Sequence, residues 1–444
     1  MNPVIGPVSS AERIQTMDVV RGFALLGILL MNIVDFGMPH WAYMNPNIAG
    51  GATGPNLIAF ILQYVLFEGK MRALFSMMFG AGVILLTTRG VERGGGIEVA
   101  DIYYRRTLWL MLFGIAHAML LWRGDILYPY AICGLFLFPI RKLPAKTLLC
   151  VAGVMFLLMT GFGIGEAFGL PKKKEKGEAA IALEKKGAKL TDQQKKDKEA
   201  WEKVLKNFNP PKEDVQKEIE AYRGGYLKSL AQRAGEVSEW HGTALYHPGL
   251  VDFYAFMLLG MAFVKLDVLT GGRPLSFYVK IAAAGYLIGI PMNATTISTY
   301  IRSGYEPITA AFAFSTYHLG RLCLALAHMS LLLIFVKKGF LAFLISRLAA
   351  VGQMAFSNYL SHSVICTLFF YGHGLGMFAR LERHQLYFVV AAVWTLNLIW
   401  SPIWLRHFRF GPMEWCWRSL TYWQRQPMRI QTAAEGVPEA ATVT

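Results

Sequence analysis

Chemistry in this chain is best sought where ionisable side chains interrupt apolar runs, because a charge there is costly unless it has a partner or a wet cavity. Four places qualify. In the first, Asp18, Arg21, Asn32 and Asp35 fall within one sector roughly 100° wide when wound on a helix, so that one face is polar along its length. Asp18 and Arg21 have the spacing of an i, i+3 ion pair. Either Arg21 snorkels to lipid phosphates while Asp18 caps the helix, or the two belong to an anion site.

The second place pairs His117 with Asp125. The tight turn Trp122-Arg123-Gly124-Asp125 reverses the chain and sets Asp125 at the start of the next run. His117 lies roughly 7 to 9 Å below the end of its own helix, so the two can meet. A histidine oriented by a carboxylate is what general base catalysis needs. The alternative is an N-capping Asp125 beside a histidine that only packs. In the third place His318, Arg321 and His328 share a helix face. Arg321 is expected to line an internal cavity or to pair with a carboxylate such as Asp35 or Asp125. In the fourth, Gln353, Ser357, Asn358, Ser361 and His362 make half a run too polar for lipid. Helix–helix hydrogen bonding accounts for such a face, with Asn358 and His362 as candidates for more. His40, in the loop just after the first run, lies on the side expected for extracytoplasmic chemistry. His40, His241 and His247 form no metal-ligand pattern, and no metal is expected. Gly94-Gly95-Gly96 lacks the Lys-Ser/Thr that completes a phosphate cradle.

These groups need helices to position them, and the composition supplies helices of one kind. The 444 residues are 54% hydrophobic, which suits a bilayer better than water. Runs near the roughly 20 residues needed to cross a hydrocarbon core fall at 18–37, 71–89, 105–122, 125–140, 145–169, 248–268, 275–296, 312–336, 347–371 and 385–405. The expected fold is therefore all-α, a polytopic membrane bundle of about ten transmembrane helices. It divides into a first membrane half (1–170), a polar insertion (171–247), a second membrane half (248–405) and an amphipathic tail (406–444). No cleavable signal peptide is evident. The five cysteines are scattered without CxxC pairing and read as packing residues.

The formal net charge of +15 comes from Lys and Arg at the ends of the runs, which points to membrane topology and away from nucleic acid. Arg13, Arg89, Arg93, Arg105, Arg106, Arg141, Lys142, Lys337 and Lys338 gather on alternate connections. By the positive-inside rule both termini are cytoplasmic, in a bacterial inner membrane, and the insertion faces outward. Its Lys/Glu-rich stretches at 192–207 and 212–233, broken by Asn209-Pro210-Pro211, read as two exposed helices. A solvated spacer is the plain reading and an acceptor-binding cap the functional one.

Five blocks in order then point to a family. They are Asp18-Val-Val-Arg21-Gly22 with Asn32, Leu74-Phe75 with Phe79-Gly80, Gly114-Ile-Ala-His117 with Trp122-Arg-Gly124-Asp125, Val351-Gly352 with Asn358-Tyr359-Leu360, and Gly411-Pro412-Met-Glu414-Trp415. The chain closely resembles the YeiB-like bacterial membrane proteins. It departs from their pattern at His362, where they usually carry Gln. The Asp18-x-x-Arg21-Gly22 opening is also similar to that of heparan-glucosaminide N-acetyltransferases, which use cytoplasmic acyl-CoA and an acceptor on the far side. In those enzymes a histidine soon after the first helix acts, and His40 lies in that region.

The resemblance implies transmembrane acyl transfer to an envelope glycan or lipid, with acyl-CoA as co-substrate and no tightly bound cofactor. Arg21, Arg105 and Arg106 would hold the phosphates. Polar helices bearing Asp18, Arg321 and His362 would line a path across the bundle. His117 with Asp125, or His40, would deprotonate the acceptor while Asn32 or Asn358 steadies the oxyanion. Two alternatives use the same residues otherwise. One is a transporter or flippase, favoured by broken helices or inverted repeats; the other is a membrane scaffold or sensor with an interfacial tail.

Overall fold

The structure, a computed structural model, describes residues 13–243 and 248–430. It is helical throughout, with no strand among the described residues. The first membrane half comprises α1 (Gln15–Gly37), α2 (Gly54–Leu62), α3 (Lys70–Glu92), α4 (Glu98–Leu120), α5 (Leu127–Ile140) and α6 (Ala145–Lys185). The insertion continues with α7 (Asp192–Phe208), α8 (Lys212–Arg223) and α9 (Tyr226–Thr243). The second half holds α10 (Pro248–Lys265), α11 (Leu275–Arg302), α12 (Pro307–Phe314), α13 (Tyr317–Lys338), α14 (Ala342–Gln353), α15 (Ala355–Phe370) and α16 (Arg383–His407), followed by α17 (Pro412–Tyr422). Each expected span falls on helix, the eighth beginning at the end of α12 and continuing in α13, and the ninth divided between α14 and α15. Six helices among the described residues are long and apolar enough to cross a bilayer. The protein is an all-α membrane protein.

Without a strong hydrophobic drive between helices in lipid, close packing depends on small residues that let backbones touch. Two reciprocal glycine pairs do this. A Cβ on Gly22 of α1 would lie 2.0 Å from the Leu348 carbonyl oxygen of α14, and one on Gly352 would lie 1.9 Å from the Asp18 carbonyl oxygen. Gly80 of α3 and Gly260 of α10 meet the Met257 and Met77 carbonyl oxygens in the same way, each at 1.9 Å. Both contacts lie in the main apolar core, around Leu25, Met71, Met257 and Met329.

The ninth span breaks at Met354, between α14 and α15. Non-helical backbone at membrane depth is tolerated where it is buried in protein or lines a cavity. Here Glu414 of α17 fills the gap. Its carboxylate accepts the Phe356 and Ser357 backbone N–H groups at 2.7 and 3.2 Å, and the Ser357 hydroxyl at 2.5 Å. A negative side chain at a helix N-terminus satisfies orphan donors and suits the helix dipole.

The insertion departs from the expected spacer of two exposed helices. Helix α6 runs on through Pro171 to Lys185, Trp201 of α7 is buried against Gly177 of α6, and the stretch 212–233 is split at Gly224-Gly225. Tyr222 is buried with Phe36, Trp122, Tyr371 and Phe378 at one end of the bundle. Arg233 donates to the Met119 and Leu120 carbonyls at 2.9 and 3.0 Å, capping the last turn of α4. Charged composition suggested solvation, but a few large side chains dock the insertion onto the bundle.

Candidate functional site

At the opposite end from the insertion, the bundle encloses a cavity of about 280 Å³. Helix α1 contributes Asp18 and Arg21, α3 Phe79 and Arg89, α4 Tyr103 and Arg106, α5 Leu127 and Tyr130, and α17 Trp417 and Arg418. The α14–α15 break contributes Gly352, Gln353 and Phe356. Five arginines (Arg13, Arg21, Arg89, Arg106, Arg418) and two carboxylates (Asp18, Glu414) give the lining a positive excess. Arg21 pairs with Asp18 at 2.9 Å, and Arg13 reaches the same carboxylate at 3.6 Å. Arg106 lies 3.7 Å from the ring centre of Trp417, whose indole N–H donates to the Arg106 carbonyl at 2.9 Å. Burial, with Arg106 beside it, presses Arg418 below its ordinary pKa, as expected of a crowded cationic pocket that an anion would relieve.

Arg105 does not share this cavity. One turn of helix directs it to the exposed Asp101, which accepts at 2.5 and 3.1 Å, and Trp423 lies under its guanidinium. The expected trio therefore reduces to Arg21 and Arg106, joined by Arg13, Arg89 and Arg418. The added arginines were legible only as topology signals, since nothing local shows that α17 folds back to α4.

The depth of the cavity is apolar and aromatic, reaching Tyr130 and Tyr359. Beyond Tyr359, whose ring centre is 5.1 Å from that of His117, lies the His117–Asp125 pair. His117 Nδ1 and Asp125 Oδ1 are 2.8 Å apart, and both side chains are almost wholly buried. Asp125 Oδ2 meanwhile accepts the Tyr128 backbone N–H at 2.7 Å, so this residue both orients the imidazole and satisfies a donor in the first turn of α5. An ionised carboxylate only accepts, which puts the imidazole proton on Nδ1. His117 Nε2 is then the acceptor for the Ser363 hydroxyl at 2.7 Å. Close approach of α4 and α5 requires Gly114, where a Cβ would sit 2.4 Å from the Tyr128 nitrogen and 2.9 Å from Asp125 Oδ2.

At the insertion end a second set of charges meets. Arg123 pairs with Asp35 and with Glu236 at 3.0 Å, and stands 3.8 Å from Glu218. His40 Nδ1 lies 2.7 Å from Glu218, and its ring packs on Trp41 with centres 3.7 Å apart. The His40 side chain is 40% exposed, whereas that of Glu218 is 2% exposed, so a buried carboxylate holds a reachable imidazole.

The remaining expected residues have separate partners. Arg321 pairs with neither Asp35 nor Asp125 but makes a two-pronged bond to Asp252 of α10, with Arg72 and His318 close by. Asp252 lies just past the first turn of its helix, where the sequence reads only as a charge near the helix end. His328 meets the Tyr286 hydroxyl and the Leu66 carbonyl at 2.8 Å each, and His362 meets Asn397 at 2.6 Å. Asn358 bridges helices through Val351, Trp400 and Ser401. Asn32 is half-buried on α1, one turn before Asp35. His241 and His247 lie outside the residues whose side chains are described.

Comparison with known proteins adds a family model and full-length relatives. Residues 263–424 match the family model described as "Protein of unknown function (DUF418)". The chain is 32% identical over 415 residues to "Uncharacterized protein YeiB" of Escherichia coli (strain K12), covering 92% of this chain and 96% of that protein. It is 29% identical over 454 residues to "Uncharacterized protein YxaH" of Bacillus subtilis (strain 168), covering 96% and 98% respectively.

Proposed function

Starting from the premise that the chain belongs to the YeiB-like family of integral membrane proteins, we propose that it is a transmembrane acyltransferase, taking its acyl group from acyl-CoA. One observation carries this reading: a cavity rimmed by guanidinium groups and apolar in its depth ends at the aromatic wall in front of a histidine–carboxylate pair. Such a cavity suits a ligand with an anionic head and an uncharged arm. Guanidinium forks on Arg21, Arg106 and Arg418 match phosphate oxygens, and the Tyr130 and Tyr359 end accommodates the arm and acyl group. Arg106 and His117 are on the same helix, separated by roughly 16 Å at 1.5 Å per residue, so head and reacting carbon would bind at different depths.

By the positive-inside rule the arginine end faces the cytoplasm, where acyl-CoA resides, and the insertion faces the exterior of a bacterial inner membrane. Both termini are then cytoplasmic. His117, with Asp125 as its orienting carboxylate, would serve as general base for an envelope glycan or lipid acceptor arriving from the insertion side. The exposed His40 ring held by Glu218 offers a second base on that side.

The test is binding and transfer by the protein reconstituted in nanodiscs. Radiolabelled acetyl-CoA and longer acyl-CoAs are supplied with an envelope extract, against Arg21→Ala, Arg106→Ala and His117→Ala. The expectation is weakened donor binding in the arginine variants and lost transfer in the histidine variant. Unchanged binding in both arginine variants would remove the donor site from this cavity. The helix break at Met354 favours a second reading, a transporter, since broken helices are a device of transport folds. Uptake of an anionic solute into vesicles without covalent transfer would select it.

A further inference from the structure

Three helices line the cavity in stripes that continue past its aromatic end. On α15, Phe356 and Tyr359 line the cavity and Ser363 follows Tyr359 by one turn. On α4, Tyr103, Arg106 and Leu110 line it, and His117 continues the same face two turns on. Leu127 and Tyr130 line it from α5, and Asp125 stands two residues before that helix begins. The three stripes converge on one arrangement: Ser363 Oγ 2.7 Å from His117 Nε2, and His117 Nδ1 2.8 Å from Asp125 Oδ1. A hydroxyl on one ring nitrogen and a carboxylate on the other is the geometry that activates a serine, recognised by roles and not by chain order.

The Ser363 hydroxyl does not take the local bond that its neighbours Ser361 and Thr367 take. Ser361 and Thr367, on the same helix, turn their hydroxyls back to the Asn358 and Val364 carbonyls at 2.8 and 3.2 Å. That local bond is the usual resting place for a helix hydroxyl. Ser363 instead directs its hydroxyl across to α4. It is 1% exposed, His117 3% and Asp125 6%, so the relay is buried, and the Tyr359 ring that packs on His117 also lines the cavity.

We infer that Ser363 is a nucleophile that carries the acyl group as an ester between donor and acceptor, with His117 as its base and Asp125 orienting the imidazole; this rests on the acyl-transfer reading above. In the first half-reaction His117 Nε2 takes the Ser363 proton while Oγ bonds to the thioester carbonyl carbon. The carbon–sulfur bond then breaks, and the coenzyme leaves as a thiol with the proton that His117 returns. In the second half, an acceptor hydroxyl or amine gives its proton to His117 and bonds to the ester carbon. The carbon–Oγ bond breaks and Ser363 regains its proton. No oxidant or reductant is consumed, and the donor and acceptor need never occupy the site together. Access for the thioester requires the Tyr359 ring to turn aside.

The experiment uses the full chain in nanodiscs, with two probes read by peptide mass spectrometry. Radiolabelled acetyl-CoA without acceptor tests for an acyl ester, and a fluorophosphonate tests for an activated serine whatever the natural donor. The expected result is both labels on the peptide containing Ser363, lost in Ser363→Ala and His117→Ala, with transfer to acceptor down about 10³-fold in Ser363→Ala. In Ser363→Cys, which keeps a nucleophile at the same position, the acyl group should become a hydroxylamine-labile thioester; size-exclusion profiles of each variant report folding. Transfer that persists in Ser363→Ala, with no ester on the wild type, overturns the nucleophile and leaves acyl transfer standing. Fluorophosphonate labelling of Ser363 without any consumption of acyl-CoA upholds the activated serine and overturns the donor. Neither label on Ser363 in a folded protein that binds acyl-CoA overturns the inference.

Discussion

Glu218, carried by the insertion, accepts the His40 backbone N–H at 3.0 Å and holds the His40 ring through Nδ1 at 2.7 Å. One buried carboxylate thus fixes both the loop after α1 and the orientation of its histidine. Replacing Glu218 with Ala removes both bonds and leaves Arg123 with less negative charge around it. The expected cost is about 1–3 kcal/mol of local stability, the usual price of unpaired buried polar groups. Hydrogen exchange should show faster opening of 212–223, and protection equal to the wild type would contradict the docked insertion.

The Arg321–Asp252 pair should be sensitive to loss of either partner alone. Asp252→Ala strands a fully buried guanidinium, which costs about 3–5 kcal/mol. The double replacement Asp252→Leu with Arg321→Met removes both charges and should recover much of that loss. Thermal unfolding in detergent compares the three proteins; equal melting of single and double variants would mean that the pair does not matter to stability.

Arg105 and Arg106 are neighbours in sequence and separate in space. With Arg105 held by Asp101 outside the cavity, Arg105→Ala should leave acyl-CoA affinity unchanged. Arg106→Ala removes a charge-assisted contact worth about 1.5–3 kcal/mol, equivalent to roughly 10- to 150-fold in Kd. Calorimetric titration of both variants distinguishes them, and equal losses would refute the cavity as the donor site.

Glu414 gives a pH dependence with a definite sign. Burial pushes its carboxyl up, against the opposing bonds from Ser357 and Phe356. A carboxyl raised above its unfolded value of about 4.3 contributes stability that is fully present below that value and is lost as pH rises through the folded one. Glu414→Gln keeps an acceptor without that titration. The wild type should therefore lose melting temperature relative to Glu414→Gln as pH is raised from about 4, and a difference that stays constant with pH would exclude the shift.

Gly352→Ala tests the α1–α14 contact. The added methyl meets the Asp18 carbonyl oxygen at 1.9 Å, a backbone atom that cannot turn away. Overpacking of this kind costs about 1–3 kcal/mol or more. The helices that carry Asp18, Arg21 and Gln353 must separate, so donor binding should fall along with stability. A variant that melts and binds like the wild type would show that the helices have room.

What the residues revealed in advance followed from how local each relationship is. Apolar runs of membrane length, the Asp18–Arg21 spacing and the short turn from His117 to Asp125 are all readable within a few helical turns, and the helices and both pairs lie as that spacing implies. Ser363 is 246 residues from His117, and one serine among several polar residues of its helix carries no mark of its partner. Asp252 and Arg321 are likewise 69 residues apart, which is why Asp35 and Asp125 stood as the carboxylates expected for Arg321. The docking of the insertion is hidden in the sequence for a different reason. Its charge is real, but the buried Trp201, Glu218, Tyr222 and Arg233 that decide its docking are a minority among exposed Lys and Glu.

The wall that α17 contributes has a consequence for how the protein is made. Trp417 and Arg418 line the cavity, and Glu414 seals the break in the ninth span, yet all three are translated after the last span. A nascent chain can thread its helices through the insertion machinery and still have a gap where that wall belongs. The pocket is closed only once α17 itself has been made, so a chain stopped short of Glu414 would be membrane-integrated but open.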